Sequence, residues 1–123
     1  MTSHHRLLVT AEAQVHNNLQ SMTQLAQQAL EEAMNALKTQ NGELAKTVVE
    51  KDLKQNHLMR IIEQECMQIL AKLEPKASDL REVVASMQIA TELERISDHA
   101  KSIANIVLTM DSEDFSGPMD LSL

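Results

Sequence analysis

Apolar residues return in alternating steps of four and three along three long stretches of this chain, broken only around Asn41-Gly42 and Pro75. Val15, Leu19, Met22, Ala26, Ala29, Ala33 and Ala36 make the first stripe. Leu44, Val48, Leu58, Ile62, Cys66, Ile69 and Leu73 make the second, with Lys51 and Gln55 as polar faults at two successive turns. Ile89, Leu93, Ile96, Ala100, Ile103, Val107 and Met110 make the third. This is heptad spacing, the sign of a helix that buries one face against its neighbours. Helices are expected over about 6–39, about 43–73, and from Ser78 to about Met110. Asn-Gly closes the first, with Gly42 free to take positive φ, and Pro75 closes the second by pushing Glu74 towards extended backbone. Ser78 is the expected N-cap of the third, with Asp79 in its first turn. Three long helices joined by short loops make an all-α antiparallel three-helix bundle.

Composition agrees. There is one Phe, no Trp or Tyr, and only two Gly and two Pro, which excludes a turn-rich β-sandwich or barrel. The net charge of −7 argues against non-specific nucleic-acid binding. Cys66 is the single cysteine and falls at an apolar helix position, where a buried inert thiol is expected. No apolar run is long enough to insert in a membrane, and the start has no signal-peptide core, so the expected location is cytoplasmic. Residues 1–5, with His4 and His5, read as a disordered lead-in, residues 6–110 as the bundle, and residues 111–123, with Phe115, Gly117-Pro118, Leu121 and Leu123, as a flexible tail.

Two further patterns bear on function. Leu25, Leu30, Met34 and Leu37 widen the apolar stripe of the first helix, and Leu80, Val83, Val84 and Met87 add a second apolar face to the third. Faces of this kind want a partner surface. Glu94 and Asp98 are one turn apart on one face, nearly opposite the centre of the third seam. Such a pair repels by a few tenths of a kcal/mol, which a nearby cation or a bound metal would offset. Asp52, Asn56, Met59 and Glu63 line a polar stripe on the second helix. Oxygen donors from Asp52, Asn56, Glu94 and Asp98 would suit a hard cation: Mg²⁺, Mn²⁺ or Ca²⁺, with iron or zinc as alternatives. The competing reading is a solvated acidic face on which Lys101 pairs with Glu94 or Asp98. Arg95 and Arg81 can each hold a carboxylate of a neighbouring helix or simply face water, and His99, next to Asp98, points about 100° away from it.

The segment Glu92-Leu-Glu-Arg-Ile-Ser-Asp-His-Ala100 resembles the Glu-x-x-x-Asp signature of the PhoU family of phosphate-signalling proteins. The likeness continues in Ala77-Ser-Asp-Leu-Arg81 and in Asn41-Gly-Glu-Leu-Ala-Lys46 through to Asp52, and covers roughly residues 10–110. It implies one PhoU-type repeat and assigns metal binding to Asp52, Glu94 and Asp98, with Asn56 where the family has Asn or Asp. Met59 stands where the family commonly has an acid, and Gln55 where it has an aliphatic residue. It also implies a negative regulator of the phosphate-starvation response that relays the state of a phosphate ABC transporter, through its ATPase, to a sensor histidine kinase. Family members usually carry two bundles in tandem. One bundle is expected to pair with itself as a homodimer.

Catalysis is not expected. The Glu-x-x-His pairs of a di-iron oxygenase are missing, since Lys54 precedes His57 by three and Ile96 precedes His99 by three. There is no phosphate loop, nucleophile elbow or zinc spacing. The alternative to a phosphate regulator is a stand-alone helical scaffold or cation-binding module.

Overall fold

The computed structural model describes residues 2–112. It consists of α1 (Thr2–Thr39), α2 (Gly42–Lys72) and α3 (Ala77–Ser112), all packed on one another. The expected all-α three-helix bundle is what forms. Cross-links give the directions. Asn18 on α1 donates to Glu65 on α2 at 2.8 Å, while Lys51 on α2 reaches Glu32 on α1 at 3.2 Å, so these two helices run antiparallel. α3 turns back again and lies parallel to α1, with Glu82 near its start beside His16, about four turns into α1.

The turns differ in detail from the sequence expectation. The left-handed residue in the first is Gln40, φ 51°, not Gly42, which is the first residue of α2. The Asn41 N–H donates to Ala36 O at 2.9 Å, the six-to-one bond of a Schellman cap. Asn41 then caps α2: its backbone is extended (φ −91°, ψ 96°) and its Oδ1 accepts the Leu44 N–H at 3.1 Å. One residue therefore ends one helix and begins the next. Asn41→Ala is expected to cost about 1 kcal/mol, read as a lower urea midpoint at unchanged slope.

At the second turn Glu74 adopts φ 44°, left-handed and not extended, because the position after a helix C-cap favours that region even ahead of Pro75. α3 starts at Ala77 and not at Ser78; the Leu80 N–H donates to Lys76 O at 2.8 Å, so Lys76 has the cap position. Helix α1 extends back to Thr2, so residues 2–5 are helical where a lead-in was expected. No Gly or Pro lies within α1 to stop it, and Leu8, only 6% exposed, anchors its first turns in the core. α3 continues two residues past Met110. The rest of the expected tail, with Phe115, Leu121 and Leu123, lies outside the described residues.

The core has two parts. One is built of large side chains, among them Leu8, Val15, Leu19, Met22, Ile62 and Ile69. The other is built mostly of alanines: Ala33, Ala36, Ala45, Ala100 and Ala104, with Val48 and Val107. Between them lies a buried polar layer of Asp52, Gln55 and Ser97. Gln55 is fully buried, and its Nε2 donates to Met22 O at 2.9 Å and to Ser97 Oγ at 2.8 Å. The expected fault in the second seam is thus a polar clasp joining all three helices, while Lys51 moves to the flank and pairs with Glu32.

The α1 stripe packs as its spacing predicts; six of its seven positions are buried, and Ala29 is half-buried against them. The α3 stripe does not. Its buried line is Val83, Ser86, Ala90, Ser97, Ala100, Ala104 and Val107, with Leu93 half-buried. Ile89 and Ile96 are 49% and 39% exposed. Close helix approach puts small residues on the innermost line and moves the isoleucines to the rim. The centre of the stripe is turned by about 70° from the expected one, which brings Glu94 from about 150° away to about 80°.

Candidate cation site

That rotation places the acidic residues. Glu94 is half-buried at the α2–α3 flank, Lys101 lies two turns further along the same flank, and Asp98 is exposed. Asp52 faces them from α2 and goes deeper than a stripe beside the seam implies, with its side chain only 3% exposed. Asn56 is one turn on from Asp52, and its Nδ2 donates to Asp52 Oδ2 at 3.4 Å. Lys101 Nζ lies 3.6 Å from the same oxygen. The cation was expected beside Glu94 or Asp98, and it pairs with Asp52. The other oxygen, Oδ1, is buried with no hydrogen-bond partner. So is Oε1 of Gln55, and both residues line a cavity with room for about one water.

The field here is negative. Burial holds the Glu94 carboxyl above its ordinary range, and the charges of Asp98, Glu63 and Asp52 add to this, while Arg60 opposes them. The sequence reading named Glu63 as part of the α2 stripe, not as a neighbour of Glu94. Arg95 forms an exposed pair with Glu92 at 2.9 Å and, among the described residues, holds no carboxylate of another helix. His99 is exposed. Cys66 is fully buried, and its thiol is raised by burial and then by Glu65.

The donor set fits a hard cation. It offers carboxylate oxygens, an orphaned buried oxygen on Asp52, and an ammonium already drawn to that residue. Asp52, Glu94 and Asp98 are nevertheless spread wider than a closed triplet. Among the described residues, the three carboxylates whose oxygens come within 4.8 Å of one another are Glu12, Asp79 and Glu82, between α1 and α3. His16 Nε2 lies 2.8 Å from Glu82 Oε1. Glu12 Oε2 is buried without a partner, and its carboxyl is pushed up to about 7, first by burial and then by hydrogen bonding and charge from Glu82 and Asp79. No local motif announces this cluster. It exists only because α1 and α3 lie parallel with Glu12 and His16 set against Asp79 and Glu82.

A family model described as the PhoU domain matches residues 19–107, which takes in Asp52, Asn56, Glu94, Asp98 and Lys101. The chain belongs to the PhoU family. It is 40% identical over 94 residues to the phosphate-specific transport system accessory protein PhoU of Edwardsiella tarda, an alignment covering 76% of this chain and 39% of that protein. The protein of the same name from Escherichia coli (strain K12) is 36% identical over the same shares. A PhoU homolog from Clostridium acetobutylicum is 30% identical over 101 residues, 81% of this chain and 46% of its own. The chain therefore spans about two fifths of the length of the curated relatives it matches. None of its described helices is long and apolar enough to cross a membrane.

Proposed function

We propose that this PhoU-family chain regulates phosphate uptake and phosphate-starvation signalling in the cytoplasm, passing the state of a phosphate ABC transporter to a sensor histidine kinase. The match of a PhoU domain over residues 19–107 carries this reading, together with its relatives' being accessory proteins of a phosphate-specific transport system. The work is done by helix surfaces and needs no catalysis. Asp52, Asn56, Glu94 and Asp98 would hold a divalent or trivalent cation, which would neutralise the acidic flank and fix α2 against α3.

The reading includes a homodimer. Leu80, Val84, Ile89, Ile96 and Ile106 of α3 and Leu30 and Met34 of α1 are exposed, and a second bundle would bury such side chains. Light scattering at micromolar concentration should give twice the chain mass; a strict monomer rejects the dimer.

Two measurements test the rest. The purified chain should retain the transporter's ATPase subunit in a pull-down. Mass spectrometry should find stoichiometric metal in protein prepared without a chelator or His tag, and none in Glu94→Ala/Asp98→Ala. Metal without ATPase capture would support a stand-alone cation-binding module. Capture without metal would leave a docking protein with a solvated acidic flank. Failure of both rejects the proposal.

A further inference from the structure

We propose that Lys101 is a tethered counter-ion of Asp52, its ammonium holding the place a metal cation takes at the α2–α3 flank and leaving when the metal binds. The proposal rests on the metal reading above and adds the device that sets the site's affinity.

The argument starts from Asp52. A carboxylate whose side chain is 3% exposed needs a compensating charge. The cations around it are few. Lys51, one residue away, is engaged with both oxygens of Glu32 at 3.2 and 3.3 Å. Arg60 acts on Glu94, and Arg95 is held by Glu92. Lys101 is the residue whose charged head reaches Asp52, at 3.6 Å from Oδ2.

The pairing has the character of a loose occupant. A close charge-assisted hydrogen bond runs about 2.7–2.9 Å, and this one is longer. The Lys101 side chain is 42% exposed, so its head can swing to water on a flexible stem while Asp52 stays fixed. Only one Asp52 oxygen is engaged; the other remains an unpartnered buried acceptor, on a residue that shares a small cavity with Gln55. Lys101 also lies on the Glu94 flank of α3, so a divalent ion drawn there meets the ammonium as its rival. The ammonium brings one positive charge where a divalent ion brings two, and the acidic flank of Asp52, Glu63, Glu94 and Asp98 gives the metal its advantage once the lysine moves away.

The test uses the full chain with Mn²⁺ as probe, followed by isothermal titration. Lys101→Met is expected to bind Mn²⁺ about tenfold or more tightly than the parent, because a unit charge close to the metal is removed. A second measurement needs no metal. In urea unfolding with a chelator present, Lys101→Met is expected to lower the midpoint when Asp52 is intact and to leave it unchanged when Asp52→Asn is also present. Equal or weaker Mn²⁺ binding by Lys101→Met, or strictly additive substitutions in the unfolding cycle, overturns the proposal while leaving the metal reading in place. Mn²⁺ bound by neither protein overturns both.

Discussion

Ile62→Ala is expected to destabilise the bundle by about 3 kcal/mol, within the 2–5 kcal/mol typical of a buried isoleucine truncated to alanine. Ile62 is fully buried in the large-residue half of the core, among Met22, Cys66 and Ile69. A helix pinned on two sides has little room to close the resulting gap. Ile96→Ala is expected to cost less than about 1 kcal/mol, since that side chain is 39% exposed at the rim. Urea midpoints followed by far-UV circular dichroism compare the two directly. Equal losses would mean that α3 is rotated as its isoleucine spacing suggests. A loss at Ile96 that shrinks as the protein is diluted would place that residue in a contact between two copies of the chain.

The second large effect is one of pH. Glu12 holds its proton up to about 7 in the folded chain, against an ordinary value of 4.5. The folded state therefore binds more protons than the unfolded state between these limits, and stability falls as pH rises through that window. Below it, both states are protonated and the contribution is fully present. Above it, Glu12 is charged with carboxylate oxygens of Asp79 and Glu82 within 4.8 Å, and the contribution is gone. Groups facing the cluster from outside are His16 on α1 and the buried Cys66 on α2. Glu12→Gln removes the charge while keeping the shape. It is expected to exceed the parent in stability at pH 8 by on the order of 2 kcal/mol, allowing for partial exposure, and to show no such gain near pH 4. Unfolding curves at the two pH values decide it. A gain that does not vary with pH would mean that Glu12 is ionised throughout.

Much of the fold could be read from spacing. The α1 stripe was legible because its alanines and larger apolar residues share one line, and the breaks at Asn41 and Pro75 fall within a residue or two of the helix ends. α3 misled because hydrophobic size and burial part company there. Ile89 and Ile96 read as core, yet the buried line runs through Ser86, Ala90, Ser97 and Ala104, whose small volumes let the helices close up. Gln55 misled for a related reason: its polarity reads as a fault, and only its partners on two other helices make it a core residue. For the candidate site, Asp52, Asn56, Glu94 and Asp98 were visible as oxygen donors. Which carboxylate receives Lys101 was not, because that depends on how far α3 is turned against α2. The Glu12 cluster was invisible because it needs the relative height of two helices far apart in the chain.

Three helices joined by tight turns make an odd number of passes, so the two ends of the described chain, Thr2 and Ser112, emerge at opposite poles. With His16 level with Glu82, the rise of 1.5 Å per residue sets these ends about 65 Å apart. The bundle is then a spacer as well as a binding surface: whatever is attached before α1 and after α3 is held a full rod length apart. A peptide joining the ends into a circle would need roughly 20 extended residues to reach.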